Sequence, residues 1–271
     1  MSEGRELVSS PAPAKGRLRE LYEYRNVFRS LVEKDLYGRY KNSVLGFAWH
    51  FAMPLVYVAV CFFIYGESDK TMDDYWVFVA TGILAFNVLT SSVAGGSTCF
   101  TGNSGILKKM YLPREILVLS KATVGFIVMI IGYVAVIAMM VVAGYPLNPV
   151  AMLFLIPLTL SMFVFCVGCM LALSSIAVYV RDLQYLLASL GIVFFVFSPI
   201  RYMAEEATGM RASVLWMNPF TYYLESYHEI LYSGELPDLR ILGMCFLLAL
   251  IAFVIGYLIF NRLKSGFVER L

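Results

Sequence analysis

The feature that most constrains this chain is a series of long apolar stretches separated by short polar segments. A helix needs roughly 20 apolar residues to cross the ~30 Å hydrocarbon core of a bilayer. Six stretches reach that length, at 44–65, 76–98, 116–142, 150–178, 185–202 and 239–261. Over the whole chain 60% of the 271 residues are hydrophobic and 15% are charged, with a mean hydropathy of +0.74. A soluble domain is nearer half apolar and a quarter charged. The sequence therefore predicts an all-α integral membrane protein with six transmembrane helices.

The distribution of basic residues predicts the orientation of these spans. With the N-terminus inside, sixteen of the 21 Lys and Arg residues fall in the cytoplasmic segments. Those segments are 1–43, 99–115, 179–184 and 262–271. Because Lys and Arg concentrate in cytoplasmic loops, we expect a multi-pass protein of the cytoplasmic (inner) membrane with both termini in the cytoplasm. The net charge of +2, together with this hydropathy, gives no reason to expect nucleic-acid binding.

The segments outside the six-span domain (44–261) have distinct patterns. Residues 1–20 are typical of a flexible cytoplasmic leader, and 262–271 form a short tail. In 21–43, apolar residues recur at helical spacing and charged residues fill the other positions. The apolar set is Val27, Phe28, Leu31, Val32 and Leu36. This pattern predicts an amphipathic helix that lies on the inner membrane surface.

The longest outer segment, 203–238, also has a helical stripe. Phe220, Tyr223, Leu224, Tyr227 and Leu231 recur at intervals of three and four residues. Prolines at membrane depth flank it. We therefore expect short re-entrant helices that dip into the outer leaflet between spans five and six.

Several kinds of chemistry are missing from the sequence. The centres of the spans lack Asp and Glu, so coupling to a proton or sodium gradient is not expected. The chain has no GxxxxGK[ST] motif for binding ATP phosphates. Cys166 and Cys169 form a CxxC, but no second pair or nearby His completes a metal site. We expect no cofactor and no metal bound by this chain, and energy supplied by another polypeptide.

The cytoplasmic stretch "GNSGILKKMYLPREILVLSK" (102–121) interrupts the apolar chain with charge. Gly102, Asn103 and Gly105 predict a leading turn, and Pro113 predicts the end of a short helix. That helix would present its lysines to a soluble motor or to lipid head groups. The alternative is an ordinary basic loop, which the positive-inside pattern alone explains.

Five stretches, in order along the chain, resemble ABC-2 type permeases that export polysaccharide. "RYKNSVLGFAWHFAMPL" (39–55) is similar to the start of that family's first span, and "LKKMYLPREILVLS" (107–120) to its first cytoplasmic loop. "VYVRDLQYLL" (178–187) is similar to the turn after its fourth span. "SPIRY" and "NPFTYYLESYHEIL" fall where the family has its outer proline motifs. Two departures are Ala177-Val178, where the family has an Asn, and His228, where a basic Arg is common.

The resemblance implies an ABC-2 (type V) exporter fold and a transmembrane subunit that pairs as a homodimer with two ABC ATPase subunits. ATP and Mg would be bound by those partners. The cargo would be a lipid-linked glycan such as O antigen, capsule or teichoic acid. Loop 99–115 would couple to the ATPase. The coupling residues would be Gly105, Lys108, Lys109, Tyr111, Pro113, Arg114, Glu115, Arg181 and Asp182.

A lipid-linked glycan needs cations for its diphosphate and aromatic faces for its sugar rings. The candidate cations are Arg39, Lys41 and Lys121; the alternative is that they anchor helix ends at the head groups. The candidate aromatic residues are Tyr57, Phe62, Phe63, Phe194, Phe195 and Phe197, for which ordinary packing is the alternative. A two-state outer gate would use 203–238 with Pro199, Tyr202, Asn218 and Pro219.

Two rival functions remain open on the sequence. One is an ABC-2 permease for a small drug or antibiotic, which shares the fold. The other is a membrane-embedded transferase acting on a lipid-linked sugar. Its only candidate acid–base cluster is Glu205, Glu206 and His228, which lacks a nucleophile or metal partner.

Overall fold

The fold comes from a computed structural model, which describes residues 21–38, 48–49, 52, 56, 60, 75–109, 112–204 and 207–270. Most of the predicted first span, the leader 1–20 and the pair Glu205 and Glu206 lie outside the described residues. The predicted site residues Arg39, Lys41, Tyr57, Phe62, Phe63 and Tyr111 also lie outside them.

Every described element is helical. The α-helices are α1 Arg25–Gly38, α2 Tyr75–Ser97, α3 Ser104–Lys109, α4 Glu115–Val142, α5 Pro149–Met152, α6 Leu155–Ala177, α7 Leu183–Val196, α8 Gly209–Met217, α9 Pro219–Leu231, α10 Leu239–Leu263 and α11 Phe267–Arg270. Single 3₁₀ turns lie at Thr101–Asn103 and Lys264–Gly266.

Four described stretches are long and apolar enough to cross a membrane. They are Tyr75–Ser97, Glu115–Val142, Pro149–Ala177 and Leu239–Gly266. Their first residues agree with the predicted spans two, three, four and six to within one position, because continuous apolar runs with polar ends mark a buried helix clearly. The structure confirms these four, and the count of six stays a prediction.

The predicted fifth span differs from the structure. The sequence indicates 185–202, whereas α7 is only 14 residues long and ends at Val196. The chain leaves the helix at Phe197, ahead of Pro199. Proline has no N–H for the helical hydrogen bond and disfavours helical geometry in the residue before it. The prediction rested on apolar composition alone, so it extended the span from Val196 to residue 202.

Helices α6 and α10 make the most extensive helix pair of the bundle, and glycines lie at their crossing. A Cβ added to Gly256 would overlap the carbonyl oxygen of Gly168, and one added to Gly168 would lie 2.5 Å from the backbone of Ala252. The two backbones are therefore in direct contact. Small residues permit this close approach in membrane helices, where packing rather than the hydrophobic effect drives association.

Helix α9 lies inside the bundle, packed on α2, α6 and α10. The predicted stripe is confirmed, since all five of its apolar side chains are buried. The Tyr223 hydroxyl donates to the Cys245 carbonyl (2.8 Å), and the hydroxyls of Tyr227 and Thr159 lie 2.8 Å apart. Buried tyrosines need such partners, so these bonds fix α9 against both α10 and α6.

Helix α1 has the predicted amphipathic pattern. Leu31 and Val32 are buried against the rest of the chain, while Arg25, Arg29 and Glu33 are exposed. Arg29 Nε donates to Glu33 Oε1 at 2.8 Å on the exposed face. The apolar face packs on α4, so protein rather than lipid covers at least part of it.

Candidate functional site

One end of the bundle is closed by a cluster of buried side chains that we call the junction. It gathers α1, the segment after α2, the start of α4, the last turns of α6 and α10, and α11. Its buried members include Leu31, Cys99, Phe100, Leu112, Ile116, Leu117, Val178, Phe260 and Phe267. Apolar residues from all the segments predicted to be cytoplasmic therefore meet in one buried cluster.

Phe267 lies at the centre of the junction. Its side chain is fully buried, and its ring centre is 5.2 Å from that of Phe100 and 6.3 Å from that of Phe260. The Arg114 guanidinium carbon lies 5.0 Å from the Phe267 ring centre, and Arg114 Nη1 donates to the Lys264 carbonyl. Arg114 was predicted to contact an ATPase. In the structure its guanidinium group instead binds the end of α10 in the same chain.

The other predicted coupling residues separate into buried and exposed groups. Pro113 and Glu115 are buried, whereas Gly105 and Lys108 are exposed on α3. The apolar Ile106 and Leu107 pack against the junction. Arg181 and Asp182 are exposed in the turn between α6 and α7, and the side chain of Lys109 lies outside what the structure describes. Helix α3 therefore has one face on the chain and a free face that carries Lys108.

Tyr179 connects the turn after α6 to the end of α10. Its hydroxyl donates to the Leu263 carbonyl at 2.9 Å, and its ring lies 6.3 Å from that of Phe267. A Cβ on Gly266 would lie against the Tyr179 hydroxyl, so a larger residue there would displace the Tyr179 ring. Sequence reasoning missed Tyr179, because its partners are more than 80 residues away along the chain.

A second feature is an open groove between α2, α4 and α7, with a volume of about 470 Å³. Its described lining residues are Leu84, Asn87, Val88, Thr90, Ser91, Val93, Ala94, Gly125, Val128, Met129, Leu187, Ala188, Gly191 and Phe194. The groove thus combines an amide and two hydroxyls with small residues and one aromatic ring. The Thr90 and Ser91 hydroxyls donate within α2, to the carbonyls of Phe86 and Val88, and their oxygens can still accept hydrogen bonds.

Of the three described aromatic candidates, only Phe194 lines the groove. Its ring centre is 4.7 Å from that of Phe220. The Phe195 ring lies 5.6 Å from that of Phe86, with Arg201 5.3 Å over it, and Phe197 is exposed at the end of α7.

Lys121 lies at the α2–α4 contact and lines neither this groove nor any other described cavity. Its Nζ donates to the Thr98 hydroxyl at 3.2 Å, and its side chain packs beside Gly95. Nearby, burial raises the pKa of the Cys99 thiol to about 12, opposed only in part by the Lys121 charge. The Cys99 thiol is therefore protonated at neutral pH.

The predicted gate residues come together where α7 ends and α9 begins. Asn218 caps α9, with its side-chain oxygen accepting from the Phe220 N–H (3.0 Å) and Pro219 following it. The Asn218 amide also donates to the Ser198 hydroxyl at 2.9 Å, beside the buried Pro199. Tyr202 lies nearby, with the Arg211 guanidinium 4.3 Å over its ring. Asn218 thus ties the end of α7 to the start of α9.

His228 is buried on α9 in a setting that the sequence did not reveal. Its ring stacks on Phe78 with centres 3.8 Å apart, and a Cβ on Gly82 would lie 2.6 Å from its Nε2. Among the described residues neither ring nitrogen has a hydrogen-bond partner. The His228 imidazole is enclosed by the Phe78 ring and the α2 backbone at Gly82, so it cannot exchange a proton with a substrate. This argues against an acid–base role.

Comparisons with known proteins agree on one class. The sequence profile described as "ABC-2 type transporter" matches residues 26–232. The chain is similar to an O-antigen export system permease protein RfbA of Myxococcus xanthus, with 27% identity over 93% of this chain and 98% of that protein. Two proteins of the same name from Klebsiella pneumoniae are 28% and 27% identical, each over 88% of this chain and 92% of its own length.

Proposed function

Because the chain belongs to the ABC-2 type transporter family, an integral membrane family of transport subunits, we propose that it is the permease of an exporter for lipid-linked polysaccharide. Two copies form the pathway across the cytoplasmic membrane, with both termini in the cytoplasm. ATP and Mg²⁺ bind to a separate ABC ATPase subunit, also in two copies. The chain itself carries out no chemical reaction.

The observation that carries the choice of cargo is the similarity along nearly the whole chain to three proteins named as O-antigen export permeases. The similarity covers 88–93% of this chain and 92–98% of each relative, so it is not confined to a few spans. A likeness confined to the spans would support the transporter family without favouring a glycan.

The groove between α2, α4 and α7 is chemically suited to such a cargo. Sugar hydroxyls exchange hydrogen bonds with Asn87, Thr90 and Ser91 at little net cost, because each bond replaces one to water. The Phe194 ring offers an apolar face to a sugar ring. Weak contacts of both kinds hold a chain without trapping it, as a conduit requires. Arg39, Lys41 and Lys121 remain candidates for the diphosphate at the inner mouth.

The junction supports a route from the ATPase to the spans. The exposed face of α3, with Lys108, would contact the ATPase, as would Lys109, Tyr111 and the turn at Arg181 and Asp182. Displacement of α3 would reach α4 and α10 through Arg114, Phe100 and Phe267. At the other end, the link between Asn218 and Ser198 would move α7 and α9 together as a gate.

The test is a deletion of the gene in its host, followed by complementation. We expect loss of the surface glycan with accumulation of its lipid-linked precursor inside the cell, and recovery of both with the wild-type chain. Unchanged surface glycan, with increased sensitivity to an antibiotic, would instead favour a permease for a small drug. Turnover of lipid-linked sugar by the purified chain without any ATPase would favour the transferase and contradict the proposal.

A further inference from the structure

A cavity of about 240 Å³ lies beside the junction, separate from the groove. Its polar lining residues are Ser97, Thr101, Ser104, Arg181, Gln184 and Arg270. They come from three parts of the chain: the end of α2 through the start of α3, the turn after α6 with the start of α7, and α11. None of the described lining residues is acidic.

The arginines make this cavity strongly cationic. Arg270 is held over the Tyr179 ring, with its guanidinium carbon 4.8 Å from the ring centre, and Arg181 reaches the same cavity from the neighbouring turn. Two guanidinium groups beside the hydroxyls of Thr101 and Ser104 and the Gln184 amide form a set of donors that matches the oxygens of a phosphate. The volume of about 240 Å³ is enough for a phosphate or diphosphate group.

The depth of the cavity limits what can occupy it. Ser97 is the last residue of one span, and the cavity also contacts Ala177 at the end of another. If those helices cross the bilayer, the cavity lies where the hydrocarbon core ends and lipid phosphates begin. A recessed site at that level is open to a lipid head group. Arg181 then belongs to this site, whereas the exposed face of α3 and Asp182 remain the surface that an ATPase would contact.

We propose that this cavity binds the phosphate-bearing head group of a lipid, with Arg181 and Arg270 as its charged ligands and Thr101 as a neutral one. Two sources share this chemistry: an anionic phospholipid of the membrane, and the diphosphate of the lipid-linked cargo. The second source rests on the proposed function. In either case the bound phosphate joins the coupling segment, the turn after α6 and α11, so its binding stabilises their arrangement.

The test uses the purified full chain in nonionic detergent and two probes. Affinity for farnesyl diphosphate is measured by titration, with farnesol as the phosphate-free reference. Retention of phosphatidylglycerol is measured by native mass spectrometry, with diacylglycerol as the reference. The variants are Arg181→Gln, Arg270→Gln and Thr101→Val. Arg262→Gln is the matched control, because Arg262 is exposed at the same end of the bundle and does not line the cavity. Melting curves verify that each variant is folded.

We expect each cavity arginine substitution to weaken phosphate-dependent binding roughly tenfold, as for the loss of a charged hydrogen bond, and Thr101→Val to weaken it less. Loss of farnesyl diphosphate binding identifies the cargo as the source, and loss confined to phosphatidylglycerol identifies a membrane phospholipid. Binding of both probes equal to that of Arg262→Gln overturns the proposal. Neither arm measures transport, so a failure here is distinct from a failure of the complementation test.

Discussion

The ring of Phe267 in α11 packs 5.2 Å from the ring of Phe100, which lies in the predicted coupling loop, 99–115. Residues far apart in sequence therefore share one buried contact at the end of the bundle. Arg114 adds a second link, because it donates to a carbonyl 150 residues away, next to the same ring. Loop 99–115 is thus anchored to the end of α10 as well as to its neighbours in sequence.

We predict that Phe267→Ala lowers the free energy of unfolding by about 3 kcal/mol or more, as expected for removal of a fully buried ring. Phe246→Ala is the matched control, since the Phe246 side chain is 43% exposed on α10. The measurement is the unfolding midpoint of the purified chain in detergent. Equal shifts in the two variants would mean that Phe267 does not hold the junction together.

Substitutions of Lys108 and Arg114 are predicted to affect different properties, ATPase binding for Lys108 and stability for Arg114. Lys108→Glu should leave stability within about 0.5 kcal/mol, because the side chain is exposed, but it should reduce co-purification of the ATPase. Arg114→Gln should cost about 1–3 kcal/mol of stability through the lost bond to Lys264. Arg262→Glu controls for charge reversal at the same end. ATPase binding equally reduced by Arg262→Glu would contradict a specific role for α3.

Filling the groove should impair export without unfolding the chain. Ser91→Leu places a bulky side chain among the groove's polar residues, and we expect surface glycan to appear roughly tenfold more slowly, a barrier increase of about 1.4 kcal/mol. Val141→Leu is the control, because Val141 is 61% exposed on α4 and lies outside the groove. The measurement is the rate of glycan appearance after induction. Normal export by Ser91→Leu would remove the groove from the pathway.

The α6–α10 crossing predicts unequal effects for two glycines of the same helix. Gly256→Ala should destabilise the chain by about 1–3 kcal/mol, because the added methyl group overlaps the backbone of α6. Gly243→Ala should be neutral or slightly stabilising, since nothing lies within 4 Å of its added Cβ and alanine favours the helix. Thermal unfolding in detergent measures both. A neutral Gly256→Ala would contradict the close contact.

His228→Leu tests whether the buried imidazole has a polar function. Its nitrogens have no hydrogen-bond partner in the described part of the chain, so an apolar replacement of similar size should change stability by less than about 1 kcal/mol and preserve export. Tyr227→Phe, which loses the contact with Thr159, should cost about 1 kcal/mol. Abolished export with an unchanged melting midpoint in His228→Leu would restore a chemical role for this residue.

Hydropathy and periodicity predicted the helices that are marked by a pattern within their own sequence. The ends of α2, α4 and α10 follow from apolar runs, and the α9 stripe follows from its spacing, because burial of one helical face requires that pattern. The predicted end of span five was too late. Pro199 prevents the helix from continuing, although the residues around it are apolar. Most of the first span, including Tyr57 and Phe62, lies outside the described residues, so its prediction stands as made.

The site was less predictable, because its contacts join distant parts of the chain. Nothing near Arg114 in sequence indicates that its partner is the Lys264 carbonyl, and nothing near Tyr179 points to Leu263. Nothing in the sequence around Asn87, Thr90 and Ser91 indicates that they line a groove, because the other walls come from α4 and α7. A sequence reports which helix a residue belongs to, but side-chain partners across a bundle depend on how the helices are arranged.

The contact of Gly168 with Gly256 has a mechanical consequence. Two helices whose main chains touch cannot slide or separate by small steps without losing their packing. We therefore expect α6 and α10 to move together as one rigid pair, the strut, within the chain. Widening of a conduit would then have to come from helices hinged to that strut. Helix α7, in which Leu187 is the single buried residue, is the least restrained of the long apolar helices that the structure describes.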